Sequence, residues 1–165
     1  MSRNDYDIMI LTIIDDFLEN SDNHLESIFN NNFVDFDSNV GVFKNIQNRQ
    51  SDIVSDKLLK LFPNTKVNYN FVRMSPKEQI EPTFIHDDSM MGDITCILYL
   101  NKEHPCNDGT TIYDSDYNTK CVEVRSKFNR MIIFDSNLPH SRNIFSNFGV
   151  NKSSRLIQVI FLNKN

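Results

Sequence analysis

Residues 67–74, VNYNFVRM, mark the point at which the chain changes from helical to strand patterning. Large apolar side chains alternate there with asparagine at period two, as in a β-strand that has one buried face. Short apolar runs separated by turn residues predict further strands downstream. These predicted strands are residues 83–86, 93–100, 110–113, 122–124, 130–134 and 154–162.

Upstream of this point, the sequence predicts two helices. An apolar, β-branched strand at residues 8–14 is followed by a helix that Ser21 or Asp22 could cap. The second helix is predicted at residues 51–62, with Asp52 near its start and Pro63 after its end. Residues 30–39 between the helices are predicted to be a loop. The apolar stripes of the helices are Leu25, Ile28 and Phe29 in the first, and Ile53, Leu58, Leu59 and Phe62 in the second.

Two helices followed by seven or eight short strands predict a mainly β protein with some α structure, of the α+β class. The expected architecture is a double-stranded β-helix, a jelly-roll barrel like that of the cupins, with the N-terminal helices packed on one outer face. The 165 residues are the size of one domain. We expect a single domain over residues 1–165, with helical support at about 15–62 and the barrel core at about 66–162.

The overall composition disfavours several classes of protein. The net charge is −5 and no Lys/Arg cluster is present, so nucleic-acid binding is not expected. Three cysteines without a CxxC spacing argue against a disulfide framework and a cysteine zinc site, and favour a reducing cytoplasmic or other intracellular setting. The polar first residues do not resemble a signal peptide, and no apolar run approaches the length of a membrane span.

A candidate metal site lies in the segment Phe84-Ile85-His86-Asp87-Asp88. In an extended chain, His86 and Asp88 project to the same side while Asp87 points away. His140, which follows the apolar strand at 130–134, is the candidate third ligand. Two histidines and one carboxylate form the facial triad of iron(II) oxygenases, which leaves three metal positions open. The alternative is a His–Asp pair that only forms a hydrogen bond at the surface.

Arg155 opens the otherwise apolar strand at 154–162. If this strand lies beside the one that leads to His140, Arg155 points into the barrel, where a buried guanidinium needs a partner. A carboxylate co-substrate can supply one through paired N–H···O bonds. Alternatively, Arg155 lies at a strand end with its guanidinium in solvent.

With these residues in place, the sequence resembles the 2-oxoglutarate- and Fe(II)-dependent dioxygenases, specifically their prolyl-hydroxylase-like branch. The resemblance covers about residues 67–162, and more loosely residues 13–18. It rests on the HxD motif, the distal His and Arg, and the strand at 93–102 with its Tyr-Leu-Asn ending. Asp108-Gly109 stands where the family has Gly-Gly, and the segment from His140 to Arg155 is longer than in many members.

The resemblance implies roles for individual residues. His86, Asp88 and His140 would bind Fe(II), and Arg155 would pair with the far carboxylate of 2-oxoglutarate. The Tyr99 hydroxyl would join Arg155, or Tyr99 would be an ordinary core aromatic. The contact to the near carboxylate is open between Arg73 and Asn143. Further pocket residues on the same faces would be Thr95, Ile97, Val159 and Phe161.

The implied reaction couples conversion of 2-oxoglutarate to succinate and CO₂ with hydroxylation of a substrate. It uses Fe(II), 2-oxoglutarate and O₂, with ascorbate as a supporting reductant. The substrate, a prolyl or other protein side chain or a small molecule, cannot be read from the sequence. Two alternatives remain: a cupin-type metal enzyme that does not use 2-oxoglutarate, and a non-catalytic jelly-roll binding protein.

Overall fold

Two antiparallel sheets pack face to face in the computed structural model, which describes residues 11–39 and 41–165. The described residues form two α-helices, Ser21–Phe29 (α1) and Ile53–Leu61 (α2), and a 3-10 turn at Asn151–Ser153. Their ten strands are Leu11–Ile14 (β1), Val34–Ser38 (β2), Gly41–Asn48 (β3), Thr65–Ser75 (β4), Ile94–Tyr99 (β5), Gly109–Tyr113 (β6), Lys120–Arg125 (β7), Met131–Asp135 (β8), His140–Arg142 (β9) and Arg155–Lys164 (β10).

The larger sheet has seven strands in the order β1-β8-β5-β10-β4-β3-β2, and the smaller has three in the order β7-β6-β9. Strand β10 lies between β4 and β5, and its Val159 is paired with Phe71 on one side and Ile97 on the other. An isolated bridge between His86 and His140 extends the smaller sheet by one residue. The predicted double-stranded β-helix with helices on one face is confirmed.

Strand β10 contributes to both cores of the molecule. Its residues Leu156, Ile160 and Leu162 face away from the barrel and pack with Ile28 and Leu58 of the helices. On the opposite face, Ile157 packs against the core inside the barrel. The barrel core is formed by buried side chains from both sheets: Ile97, Tyr99, Ile112, Val124, Ile132 and Phe134. Every second residue of β10 therefore faces the barrel interior, beginning with Arg155.

Both predicted helices form, with differences in detail. The N-cap of α1 is Asn20, and the two predicted cap residues are the first two residues of the helix. Asp52, expected near the start of α2, is its N-cap, and its side chain accepts hydrogen bonds from the backbone N–H groups of Val54 and Ser55.

Ile53 was predicted in the buried stripe of α2, but it is 48% exposed. Position 53 is the first helical residue, and the helix turns it to the solvent side while Val54 and Leu58 face the sheet.

The predicted loop and the predicted strands need correction in places. Residues 30–39 contain β2, which pairs with β3 in a hairpin at the sheet edge; the asparagines and aspartates around Val34 and Phe36 obscured this alternation. Residues 83–85 are outside any ladder, because β9 is only three residues long and offers a partner to His86 alone.

Strand β9 itself was not predicted. In the N-terminal strand prediction, residues 8–10 lie outside the described part of the chain, and Leu11–Ile14 is a strand.

A buried polar network joins α1, α2 and the outer face of the larger sheet. His24 donates through Nε2 to the Gln158 side-chain oxygen at 2.7 Å. The Gln158 amide nitrogen in turn donates to Asp52 and Asn70, each at 2.8 Å. His24 and Gln158 are almost fully buried. Their side-chain polar atoms therefore depend on the other members of this network for their hydrogen bonds.

Among the described residues, no helix is long and apolar enough to cross a membrane. The three cysteines are free: Cys96 is buried in the core between helices and sheet, whereas Cys106 and Cys121 are exposed.

Candidate metal centre and co-substrate pocket

His86 and His140 face each other across a two-residue backbone bridge. Each residue's N–H donates to the other's carbonyl, at 3.0 Å from His86 and 2.8 Å from His140. Residues paired in this way project their side chains to the same side of the sheet. The two imidazole rings consequently lie 4.4 Å apart between centroids, and Phe134 packs edge-on against the His140 ring.

Asp88 completes a three-ligand cluster with these histidines. One carboxylate oxygen lies 3.1 Å from His140 Nε2, and the other lies 3.5 Å from His86 Nε2. Neighbouring ligands of an octahedral ion with bonds of about 2.1 Å are separated by roughly 3 Å, so this spacing suits a transition metal. His140 is buried and Asp88 nearly so, whereas the His86 side chain is 41% exposed, so one side of the cluster opens to solvent.

The hydrogen bonds of both histidines favour the tautomer in which Nε2 can bind a metal. Nδ1 of His86 donates to the carbonyl of Phe84 at 3.0 Å, and Nδ1 of His140 donates to the carbonyl of Leu138 at 2.9 Å. With Nδ1 carrying the proton, the lone pair on Nε2 is free to bind an ion. The donor set and its tautomers fit the iron that the sequence implies.

Asp87 lies on the opposite side of the chain, as the period-two argument predicts. Its carboxylate accepts hydrogen bonds from Ser89 and from the Tyr117 hydroxyl at the exposed surface. These hydrogen bonds lower the pKa of Asp87 to about 2, and the bond from the Ser89 hydroxyl contributes most. Asp87 is therefore outside the metal cluster.

The predicted pocket residues of β5 form one column on the barrel's inner face. Thr95, Ile97 and Tyr99 are paired in turn with Phe161, Val159 and Ile157 of β10. The column has two polar ends. Thr95 donates to Asp88 at 3.4 Å and shares a 2.9 Å hydrogen bond with Ser136, whereas the Tyr99 hydroxyl bonds Thr110 at 2.6 Å.

Thr95 thus belongs to the metal end of the column, where it orients a candidate ligand. Tyr99 lies at the other end, and burial raises the pKa of its hydroxyl, so it stays protonated and can donate a hydrogen bond.

Arg155 is buried inside the barrel, as predicted, with only 4% of its side chain exposed. The sequence predicts that a bound carboxylate is its partner. The protein supplies one of its own: Nε of Arg155 lies 3.4 Å from the carboxylate of Asp108, which is equally buried. The solvent-exposed alternative for Arg155 is wrong, because β10 places the residue at an inward position.

Sequence reasoning missed two further charged residues near Arg155, namely Arg142 on β9 and Glu81. Glu81 forms an ion pair of 3.4 Å with Arg142 and another of 3.4 Å with Arg73 on β4. Glu81 is also held by Ser75 at 2.5 Å and Gln79 at 2.6 Å. Arg142 stands two residues after His140, so the same period-two rule could have placed it on the inner face. Glu81 lies in a loop, where no spacing signal exists.

These residues form a cluster of three guanidinium groups, on Arg73, Arg142 and Arg155, and two carboxylates, on Glu81 and Asp108, which leaves one net positive charge. The Nε atoms of Arg73 and Arg142 are buried without a hydrogen-bond partner. Burial and repulsion from Arg155 lower the pKa of Arg142 to about 10, and burial also lowers the pKa of Arg73. With a pKa of about 10, Arg142 remains charged at neutral pH, and the net positive charge of the cluster can accommodate one more anionic group.

Of the two candidates for the near carboxylate, Asn143 has both amide groups engaged. Its nitrogen donates to the Val124 carbonyl at 3.0 Å, and its oxygen accepts from Thr111 at 2.6 Å. Arg73 is paired with Ile157 of β10 and so shares the inner face with Arg155. Because Ile157 is also paired with Tyr99, Arg73 lies at the arginine end of the column, so the geometry supports neither candidate for the near carboxylate.

No protein-family model and no curated protein matches the sequence. Solved structures do resemble the fold. A prolyl hydroxylase from Trichoplax adhaerens, in complex with a hypoxia inducible factor peptide fragment, is 19% identical, with a TM-score of 0.65 over 92% of this chain and 82% of that one.

Two further structures give similar values. HygX from Streptomyces hygroscopicus, with nickel, 2-oxoglutarate and hygromycin B bound, is 11% identical, with a TM-score of 0.62 over 100% of this chain and 88% of that one. The non-haem α-ketoglutarate-dependent epimerase SnoN from nogalamycin biosynthesis is 13% identical, with a TM-score of 0.62 over 92% and 76%. At these identities the likeness shows a shared fold.

Proposed function

We propose that the protein is an Fe(II)- and 2-oxoglutarate-dependent dioxygenase that hydroxylates a protein side chain or a small molecule. The observation that carries the proposal is the presence of a His86–Asp88–His140 cluster and a buried arginine with surplus positive charge on one barrel interior. Either feature alone occurs in other proteins; together they match a ligand that binds a metal at one end and carries an anion at the other.

The spacing of the two ends supports this assignment. Along β5, Thr95 at the metal end lies about 13 Å from Tyr99 at roughly 3.3 Å per residue, and Arg155 lies two residues beyond the β10 partner of Tyr99, so the two ends are about 20 Å apart along the strands. Metal–ligand bonds, a five-carbon dicarboxylate and the long arginine side chain can together cover that distance. The wall between them is formed by Ile97 and Val159, which are apolar and nearly buried.

The charges support a dicarboxylate as the ligand. One net positive charge at the arginine end accommodates one carboxylate, which Arg155 can hold through the paired N–H donors of its planar fork. The near carboxylate and the 2-oxo group would lie on the metal side. Arg73 lies level with Tyr99 across β10 and adds to the positive charge of the arginine end, so the bound metal itself would balance the near carboxylate.

Each residue of the metal centre has a defined part in the proposed reaction. His86, Asp88 and His140 would hold Fe(II) on one face and leave the opposite face open to the co-substrate and O₂. When bound, iron supplies the activation of O₂ that oxidation of an inert C–H bond requires. Thr95 and Ser136 keep Asp88 oriented, and Ile97, Phe134 and Val159 exclude water from the interior.

Two of the solved structures that share the fold support the proposal. HygX is described with 2-oxoglutarate bound, and SnoN as α-ketoglutarate dependent. Ascorbate would support turnover by keeping iron reduced.

One observation favours a second candidate, a metal-dependent barrel enzyme that does not use 2-oxoglutarate. Arg155 already has a buried partner in Asp108, so a co-substrate is not needed to satisfy its charge. A purely non-catalytic barrel has less support, because one ligand atom from each of His86, Asp88 and His140 lies within 4.8 Å of the other two, and the Nδ1 contacts of both histidines leave Nε2 for a metal.

Co-substrate turnover separates these candidates. The protein, loaded anaerobically with Fe(II), is supplied with 2-oxoglutarate, ascorbate and O₂, and succinate is quantified; His140→Ala serves as the metal-binding control. The proposal expects succinate from the wild type and at least a hundredfold less from the variant. Metal binding by the wild type without any 2-oxoglutarate binding at millimolar concentration would instead favour the second candidate.

A further inference from the structure

Asp108 is a buried carboxylate whose position is unusual for a purely structural residue. Its backbone is fixed independently of its side chain: its N–H donates to the Pro105 carbonyl at 3.1 Å, and its carbonyl accepts from Ser126 N–H at 2.7 Å. The carboxylate itself contacts Arg155. The local chain conformation therefore does not require an acid at this position.

Burying both members of an ion pair is costly, and such pairs are often no more stabilising than apolar residues of the same volume. Removing one member, in contrast, leaves an uncompensated buried charge and strongly destabilises the fold. The presence of Asp108 thus follows from the presence of Arg155: if the barrel must hold this guanidinium, something must balance its charge whenever the pocket contains no ligand.

We propose that Asp108 is a built-in counter-ion that keeps Arg155 paired in the co-substrate-free protein and thereby weakens 2-oxoglutarate binding. The inference rests on the proposed function, because it takes the ligand of Arg155 to be the far carboxylate of 2-oxoglutarate. Asp108 is accordingly an affinity-setting residue that acts through Arg155.

The geometry explains how one guanidinium serves two anions. Asp108 approaches Nε, on one side of the planar group, and a guanidinium has further N–H donors on its two terminal nitrogens. A bound carboxylate would take the terminal edge. The bound carboxylate would then share Arg155 with Asp108. The negative charge of Asp108 would repel it, because the buried interior screens charges poorly.

Thermodynamic linkage fixes the sign of the effect. Without the Asp108 charge, the empty protein carries an unpaired buried cation, and the incoming carboxylate gains the full pairing. Loss of the charge should consequently destabilise the empty protein but strengthen ligand binding. A residue with a merely structural role would weaken both.

The test uses Asp108→Asn, which keeps the size of the side chain and an acceptor oxygen but removes the charge. Binding of 2-oxoglutarate is measured by calorimetry on the Mn(II)-loaded protein, together with thermal unfolding with and without 2-oxoglutarate. We expect the variant to unfold at a lower temperature when empty, to bind 2-oxoglutarate about tenfold more tightly, and to gain a larger thermal shift from it than the wild type.

Asp52→Asn is the matched control. Asp52 is also a carboxylate with little exposure and an arginine partner, at 3.1 Å from Arg49, but it lies at the start of α2 on the other side of the larger sheet. This variant should lose stability while its Kd for 2-oxoglutarate stays within twofold of the wild-type value.

A second comparison decides the matter if Asp108→Asn fails to fold. Arg155→Gln leaves Asp108 as an unpaired buried charge, so adding Asp108→Asn to it should restore stability and raise the unfolding midpoint. A double variant no more stable than Arg155→Gln would overturn the pairing.

The outcomes distinguish the two proposals. If the wild type does not bind 2-oxoglutarate, the proposed function fails, and the stability comparison still tests the Asp108–Arg155 pair. If the wild type binds but Asp108→Asn binds equally or more weakly, the counter-ion inference fails and the proposed function stands.

Discussion

The Thr95 hydroxyl lies between a candidate metal ligand and the wall of the pocket. It contacts the Asp88 carboxylate and Ser136, and it shares the inner face of β5 with Ile97 and Tyr99. Groups that orient a ligand typically change metal affinity by ten- to a hundredfold when removed. The contacts of Thr95 therefore assign it to the metal end of the site.

Thr95→Val, which preserves the shape of the side chain, should weaken Mn(II) binding about tenfold with little change in fold. Without the hydroxyl, Asp88 loses a donor that fixes its orientation. Titration of the metal in the absence of 2-oxoglutarate measures the effect. Unchanged metal affinity combined with weaker 2-oxoglutarate binding would place Thr95 in the co-substrate pocket instead.

Gly109 is required by backbone geometry where β6 begins. Its φ is +151°, and an added Cβ would lie 1.9 Å from the Val124 carbonyl oxygen. Gly109→Ala should cost about 3 kcal/mol or more, measured by denaturant unfolding, because backbone strain and a steric clash add together. Gly41→Ala is the control: its φ is +137° but no atom lies within 4 Å, so only the strain, about 1–3 kcal/mol, applies. If Gly109→Ala and Gly41→Ala lose the same stability, the backbone at position 109 has shifted to relieve the clash.

The period-two rule accounts for most of what the sequence could reveal at this scale. It placed His86 and Asp88 together and Asp87 apart, and the same rule locates Arg142 from His140. It could not pair Arg155 with Asp108, because that contact crosses from one sheet to the other and depends on the packing of the barrel. Nor could it place Glu81, which lies in a loop whose conformation is set by contacts with Arg73, Ser75 and Gln79.

Among the elements, β10 connects the helices to the pocket. Its inner face carries Arg155 and Val159, while its outer face carries Gln158, which bonds His24 of α1. Burial lowers the pKa of His24, with Gln158 and Asp52 opposing the shift and Arg49 adding to it. The neutral imidazole is therefore part of the packed helix–sheet interface.

Stability of the metal-free protein should fall as the pH falls below about 6.5. Below that pH, His24 takes up a proton in the unfolded chain but remains neutral in the folded protein, so a fall in pH favours unfolding. Above that pH the imidazole is neutral in both states and contributes no pH dependence. Between pH 7.5 and 5.5 we expect His24 to cost up to about 1.4 kcal/mol, measured by urea unfolding. His24→Gln keeps a hydrogen-bond donor but does not titrate, so it should remove this part of the loss of stability. If the variant loses stability with falling pH as steeply as the wild type, other groups cause the loss.

Element prediction succeeded where an apolar stripe or run lies between clear turn residues, as in α2 and β5. It failed where pairing depends on a distant partner. Strands β2 and β3 form an edge hairpin whose exposed Val34 and Phe36 give little burial signal amid acidic and amide residues. Strand β9 is three residues long, below the length at which periodicity can be detected.

At the scale of the whole molecule, the proposed ligands should stabilise the fold jointly. With Mn(II) present, 2-oxoglutarate at about 100 times its Kd adds roughly 2.7 kcal/mol of stability. For a protein of this size that corresponds to a rise in Tm of about 5–10 °C. Arg155→Gln should abolish the increment due to 2-oxoglutarate but keep the one due to Mn(II). An equal increment in the variant would mean that 2-oxoglutarate binds elsewhere.

The central claim is that the metal cluster and Arg155 hold one ligand between them. Calorimetric titration of 2-oxoglutarate into the wild type, with Mn(II) and again with a chelator, and into Arg155→Gln with Mn(II), tests it most directly. The account predicts one site per chain in the metal-loaded wild type and at least tenfold weaker binding when either the metal or the guanidinium is missing. Binding of equal strength in all three samples, or none in any of them, would contradict it.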